Sequence, residues 1–175
     1  MAELIVETGA GLATANSYCT LAEAEAYHAS RPYNTAWSSV TGDAADATKE
    51  AALMWATRLI DMNFEWEGER AAAAQALSWP RCDAINWNDP FQSYFSPAEL
   101  PSFLKPAIAE LAMWVLASDR NAENAATGID EMVLGPLEFK FNSRDQRPVI
   151  PVIVQQMLSM FGACVDSMDM QLERA

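Results

Sequence analysis

The run from Ser102 to Arg120 constrains the fold more than any other stretch of the chain. Leu104, Ile108, Leu111 and Val115 step by four, three and four residues, the spacing of one helix face. Met113 and Trp114 make other faces apolar as well. A helix apolar on several sides has to be enclosed by neighbours, so this segment is expected to be the central, most buried helix. Pro106 falls in its first turn, where a missing N–H removes no hydrogen bond.

Three further helices are expected around it. Thr20-Leu21-Ala22-Glu23 fits a capping box, and the helix it starts runs to about Ser30, with Pro32 as the stop. The next runs from about Asp43 to Asn63. There Ala52, Trp55, Leu59 and Met62 form a stripe that Leu53, Ala56 and Ile60 widen, which calls for packing against more than one neighbour. The last is expected from about Val149 to Met170, about 30 Å long, with Ile153, Met157, Phe161 and Met168 on one face.

The remaining segments read differently. Residues 1–19 are expected to be an extended arm, because Leu4-Ile5-Val6 is β-prone and Thr8-Gly9-Ala10-Gly11 breaks it. Residues 31–43 read as a loop. Residues 64–100 hold Phe64, Trp66, Trp79, Trp87, Phe91, Tyr94 and Phe95 among three prolines. They are expected to form a long ordered loop pinned by its rings, with a short helix at Ala71–Leu77. Residues 132–147 are expected to be a hairpin arm, since Leu137, Phe139 and Phe141 alternate with Glu138 and Lys140 after a Gly135-Pro136 turn. The fold class is therefore mainly α: one domain, a small helical bundle with a long aromatic loop, a short β-hairpin and a long C-terminal helix.

Charge narrows the function. With 11 basic against 24 acidic residues the net charge is -13. Such a surface repels phosphate backbones and anionic membranes. Cys19, Cys82 and Cys164 are odd in number and widely spaced, which disfavours a zinc site or a disulfide framework and suits synthesis in a reducing cytoplasm. No signal peptide, membrane span or membrane partner is expected.

Residues that can carry chemistry are few. His28, the single histidine, is expected to be a surface or capping residue. Glu65, Glu67 and Glu69 lie too close in sequence for a carboxylate pair across a cleft, and read as a solvated edge. Asp119 to Asp130 lacks the sixth-position glycine and twelfth-position glutamate of a calcium loop. Gly9-Ala10-Gly11 lacks the third glycine of a dinucleotide fingerprint. No catalytic residue, metal or cofactor is expected, and the chain is not expected to be an enzyme. Trp66, Arg70, Trp79 and Arg81 interleave rings with guanidinium groups, an arrangement on which single-stranded DNA can stack, but the net charge favours plain loop anchors.

Several runs then line up with a known order. They are Asn16-Ser17-Tyr18, Leu21-Ala22-Glu23-Ala24, Trp66-Glu67-Gly68-Glu69-Arg70, and Gln75-Ala76-Leu77-Ser78-Trp79-Pro80-Arg81. Leu104-Lys105-Pro106-Ala107 and Leu134-Gly135-Pro136-Leu137-Glu138 complete the series. This order resembles a phage family labelled DnaT-like single-stranded DNA-binding, whose members are similar to the head–tail connector, or adaptor, proteins of tailed phages. Pro106 and the length of Asn86–Phe95 depart from the family's pattern.

The resemblance implies a structural virion protein: a dodecameric ring beneath the portal, joining it to the tail and lining a channel through which packaged DNA passes without specific binding. Its partners would be further copies of itself, the portal protein and a tail-side connector, stopper or nozzle protein. It would be made in the host cytoplasm and would end in the virion neck. The C-terminal helix would dock on the portal through Ile153, Met157, Met160, Phe161 and Met168, where flexible methionines adapt to a partner. Lys140, Arg144 and Arg147 either contact a ring or tail-side neighbour or form an ordinary solvated turn. Trp66, Gly68, Arg70, Gln75, Leu77, Trp79, Pro80 and Arg81 would be the family's structural motif. The alternative is a single-stranded DNA-binding replication accessory protein.

Overall fold

The central helix forms where the apolar pattern places it. The computed structural model describes residues 3–122, 131–134, 137–140 and 147–165. Along them run α1 (Leu21–Ser30), α2 (Thr35–Ser38), α3 (Ala45–Asn63), β1 (Phe64–Trp66), β2 (Glu69–Arg70) and β3 (Arg81–Cys82). Then follow α4 (Leu104–Ala117), β4 (Glu131–Leu134), β5 (Leu137–Lys140), α5 (Val152–Leu158) and β6 (Gly162–Cys164). Helix α4 packs against α1, α2, α3 and α5. Leu104, Ile108 and Leu111 lose all exposure, and each contributes roughly 2 kcal/mol by leaving water. Ala107, Ala109 and Ala112 are equally buried and let the neighbouring helices come close.

One charge sits inside this packing. Glu110 of α4 is fully buried, and its carboxylate takes a two-pronged contact from Arg31, Nε to Oε2 at 2.6 Å and Nη2 to Oε1 at 2.7 Å. The Tyr27 hydroxyl and the Trp114 indole N–H donate to it at 3.0 Å each. Removing any one partner would leave a buried carboxylate short of donors.

Helix α1 starts on the expected capping box: the Glu23 N–H donates to Thr20 Oγ1 at 3.2 Å, and the Thr20 N–H donates to Glu23 Oε2 at 2.9 Å. The strands pair in twos: β1 with β6, β2 with β3, β4 with β5, all antiparallel. The architecture is thus mixed, a helical bundle edged by two-stranded ladders. The β4–β5 ladder, Glu131 opposite Lys140, starts one residue before the expected hairpin at 132–147; residues 135–136 and 141–146 are outside the described residues.

Four expectations need correction. The long C-terminal helix is replaced by the seven residues of α5 followed by β6. Phe161 leaves the helical path to stack on Phe103, centroids 3.7 Å apart at 7°. Gly162 then sits where a Cβ would lie 2.7 Å from the Glu65 carbonyl oxygen, so its missing side chain lets β6 pair with β1. Residues 166–170, including Met168, lie outside the described residues.

The N-terminal segment is not an extended arm but folds back, bridging Val6 to Ser17. The buried Glu7 carboxylate organises it by accepting the N–H groups of Thr8, Gly9, Gly11 and Leu12 at 2.7–3.0 Å. Residues 71–77 are turns rather than helix. Their backbone groups are taken elsewhere: Ala71 N–H by the Pro80 carbonyl, Ala76 N–H by the Leu12 carbonyl, and Ala72 N–H by the Gln75 side chain. The expected loop at 31–43 contains α2, formed because Trp37 buries its ring there.

Candidate functional site

The wide apolar stripe on α3 has two sides. Leu53, Ala56, Leu59 and Ile60 are buried against the bundle. Trp55 and Met62, two turns apart on the other flank, stay 37% and 64% exposed. They line a groove of about 590 Å³, walled by Asn16 of the N-terminal loop, Arg58 and Asp61 of α3, and Arg70, Leu77 and Ser78. The Arg58 guanidinium lies over the Trp55 ring, 5.6 Å from its centroid, a cation–π contact.

The groove floor is fixed from behind. The Tyr18 hydroxyl donates to Asp61 at 2.8 and 3.0 Å and accepts the Trp79 N–H at 3.0 Å. Ser78 N–H donates to Asp61 Oδ2 at 2.9 Å. Burial pushes the Asp61 carboxyl above its usual range, with these donors and Arg70 pulling back. Burial, and then the Asp61 charge, push the Tyr18 hydroxyl well above its own.

The cations are distributed unevenly. Arg31, Lys49 and Lys105 are paired with Glu110, Glu25 and Glu23. Arg81 donates to the carbonyls of Glu67, Ser78, Trp66 and Gly68, Arg120 to those of Val149 and Pro148, and Arg147 to Ser118 Oγ at 2.6 Å. Among the described side chains, the arginines and lysines left without a hydrogen bond or ion pair are Arg58 and Arg70, and both line this groove. An accessible indole in one groove with two guanidinium groups that lack an anionic partner suits a planar ligand carrying negative charge.

Of the residues marked in the sequence as a stacking set, only Arg70 reaches the groove. Trp79 is fully buried, in edge contact with Trp66 at 5.8 Å and with Phe103 at 5.9 Å. Arg81 spends its donors on backbone carbonyls, and burial lowers its pKa. Gln75 holds the same turn, its amide donating to the carbonyls of Leu77 at 2.8 Å and Pro80 at 3.1 Å. Gly68 keeps φ at +73°, and a Cβ there would run into the backbone of Cys82 and Ala84. Trp55 and Arg58 were missed as site residues. The available signal was a stripe too wide for one neighbour, with an arginine one turn after an edge tryptophan.

Other marked residues do not join the site. His28 is a core residue rather than a surface one: Nε2 contacts the Ala109 carbonyl at 3.0 Å and the ring stacks on Trp37 at 4.4 Å. Glu65, Glu67 and Glu69 are exposed along β1, its turn and β2. Ile153 and Met160 are exposed, Met157 is half-buried and Phe161 is buried beyond the helix end, so they do not share one helical face. Lys140 ends β5, while Arg144 lies outside the described residues. Among the described residues, no group of three or more His, Cys, Asp or Glu is placed to hold a metal, and no helix is long and apolar enough to cross a membrane.

A family model described as "Putative DnaT-like ssDNA binding protein" matches residues 2–175. The chain belongs to this family. No curated protein and no solved structure matches it. Membership in the DnaT-like family corrects the expected head–tail adaptor role, because the matched description concerns single-stranded DNA binding rather than a structural joint. The reading set aside on net charge is the one that the DnaT-like family favours. Net charge sums the whole surface, whereas a single strand meets only the local arrangement of rings and cations.

Proposed function

We propose that this protein binds single-stranded DNA in the groove between α3 and the Gln75–Arg81 turn, as a non-catalytic accessory to replication. The observation that carries the reading is the placing, in one groove with the exposed Trp55 ring, of Arg58, which lies over that ring, and Arg70, both without a hydrogen bond or ion pair. A base stacks on Trp55 and Met62 flanks it, while Arg58 and Arg70 meet the adjoining phosphates. Stacking contributes about 1–3 kcal/mol per base and is indifferent to sequence. The acidic remainder of the surface keeps duplex DNA and distant phosphates away, so binding is modest and confined to unpaired strands. The Tyr18–Asp61 network has no ligand contact in this reading and acts by holding the groove floor in place.

The test is a titration with oligothymidine at low salt, followed by tryptophan fluorescence. Trp37 and Trp79 are buried, and Trp66 and Trp114 are half-buried, so quenching by a stacked base reports chiefly on Trp55 and Trp87. Saturable quenching that weakens about tenfold in Trp55→Ala supports the groove. Equal binding by wild type and Trp55→Ala would remove it as the site.

A further inference from the structure

The segment from Ala84 to Phe95 is a small hairpin whose aromatic tip has no role inside the protein. Ile85 bridges to Tyr94, the Asn86 N–H donates to the Ser93 carbonyl at 2.8 Å, and the Phe95 N–H donates to the Ala84 carbonyl at 2.9 Å. The turn is further tied by Asp89, which accepts the Phe91 N–H at 3.0 Å and the Ser93 hydroxyl. At the base, Phe95 packs edge-on against Trp79, 5.5 Å between centroids. The tip then presents Trp87, Phe91 and Tyr94 at 41%, 91% and 62% exposure. So many rings held in water by an ordered turn mark a contact surface.

The surroundings say which contact. Apart from the rings and Pro90, residues 86–94 carry no large apolar side chain, and the exposed neutral polar groups between them are the amides of Asn88 and Gln92 and the Ser93 hydroxyl. The one charge, Asp89, has both carboxylate oxygens engaged within the turn. The tip thus carries one negative charge, which the hydrogen bonds from Ser93 and Phe91 hold inside the turn, and is otherwise made of rings and neutral polar groups. It is also continuous with the groove: Arg70 lies opposite Arg81 in the β2–β3 ladder, and β3 leads directly into the hairpin. Gly68, two residues before Arg70, packs closely on the backbone of Cys82 and Ala84 at the hairpin's base.

We infer that the hairpin is a second stacking platform, on which Trp87, Phe91 and Tyr94 take further unpaired bases of the strand held in the groove. This rests on the groove reading and adds to it a longer footprint. The platform supplies π-faces and amide donors but no cation, since residues 83–99 contain no Lys or Arg. Stacking on its three rings releases no counterions, so what the rings contribute is independent of salt, unlike the phosphate contacts of the groove.

The experiment compares wild type, Trp55→Ala, and a combined Trp87→Ala, Phe91→Ala, Tyr94→Ala variant by fluorescence anisotropy. The probes are dye-labelled oligothymidines of about 4 and about 16 nucleotides, spanning the usual range of single-strand footprints. Circular dichroism confirms that each variant is folded. The hairpin variant is expected to bind the short probe as wild type does, and the long probe at least about tenfold more weakly, by the same factor at low and high salt. Unchanged binding of the long probe by the hairpin variant overturns the inference and leaves the groove standing. Loss of long-probe binding in the hairpin variant but not in Trp55→Ala overturns the groove, and with it the inference that the hairpin extends a footprint begun there. Failure of wild type to bind either probe overturns both.

Discussion

The Tyr18 hydroxyl lies 2.8 and 3.0 Å from the two carboxylate oxygens of Asp61, joining the N-terminal segment to the end of α3 across 43 residues of chain. The same oxygen accepts the N–H of Trp79, so one hydroxyl ties together three separate segments beneath the groove. Tyr18→Phe keeps the ring but strands the Trp79 N–H and removes a donor from Asp61. A buried group left unpaired costs about 1–3 kcal/mol. Urea unfolding is expected to show a loss of about 2 kcal/mol; a change within about 0.5 kcal/mol would mean that water replaces the hydroxyl at no cost.

Salt dependence separates phosphate contacts from stacking. For single strands, log K falls with log salt at a slope of about 0.7 per phosphate neutralised. Arg58 and Arg70 predict a slope of about -1.4, and Arg70→Gln a slope of about -0.7. A slope far steeper than this in the wild type would place the strand on cations other than these two.

The single histidine gives a pH test. Burial lowers the pKa of His28, with its contact to the Ala109 carbonyl and the Glu110 charge opposing. Above the ordinary imidazole value of about 6.5 both folded and unfolded chains hold it neutral, and its contribution to stability is complete. As pH falls below about 6.5 the unfolded chain takes up a proton before the folded one, so stability drops. Asp61, with a raised pKa, runs the other way and gains stability as pH falls through its folded value. The quantity to measure is therefore the difference in melting temperature between wild type and His28→Gln from pH 7.5 to 5. It is expected to shrink as the wild type loses its advantage; a constant difference would show that His28 titrates normally.

Phe161 closes the aromatic cluster by stacking on Phe103 and lying 6.0 Å from Phe95. Phe161→Ala opens a cavity at the turn that delivers β6 to β1. A loss of about 3 kcal/mol is expected, with faster hydrogen exchange at the Phe64–Trp66 amides that pair with β6. Destabilisation without faster exchange there would separate the ring stack from the strand pairing.

Much of the bundle was legible before any coordinates. Capping of α1 by Thr20 and Glu23, the apolar run of α4 and the stripe of α3 are interactions between residues a few positions apart, so their energies are written in local order. The ring-pinned loop was legible only in part: Phe64, Trp66, Trp79 and Phe95 pack against other rings, whereas Trp87, Phe91 and Tyr94, expected to do the same, stay exposed. The C-terminal segment was misread because Val149 to Met170 has a helical period throughout. Pairing of Gly162 with Trp66 and stacking of Phe161 on Phe103 outweigh that period, and both partners lie far away in sequence.

By itself, the sequence determined which segments bury apolar faces, where α1 begins and how acidic the surface is. Only the tertiary structure decided which cations are spent and which are free. Arg81 and Arg70 stand eleven positions apart in one motif, yet Arg81 is committed to backbone carbonyls while Arg70 faces an open groove beside Trp55 and Arg58. That difference depends on where distant carbonyls and carboxylates come to rest, and no local pattern records it.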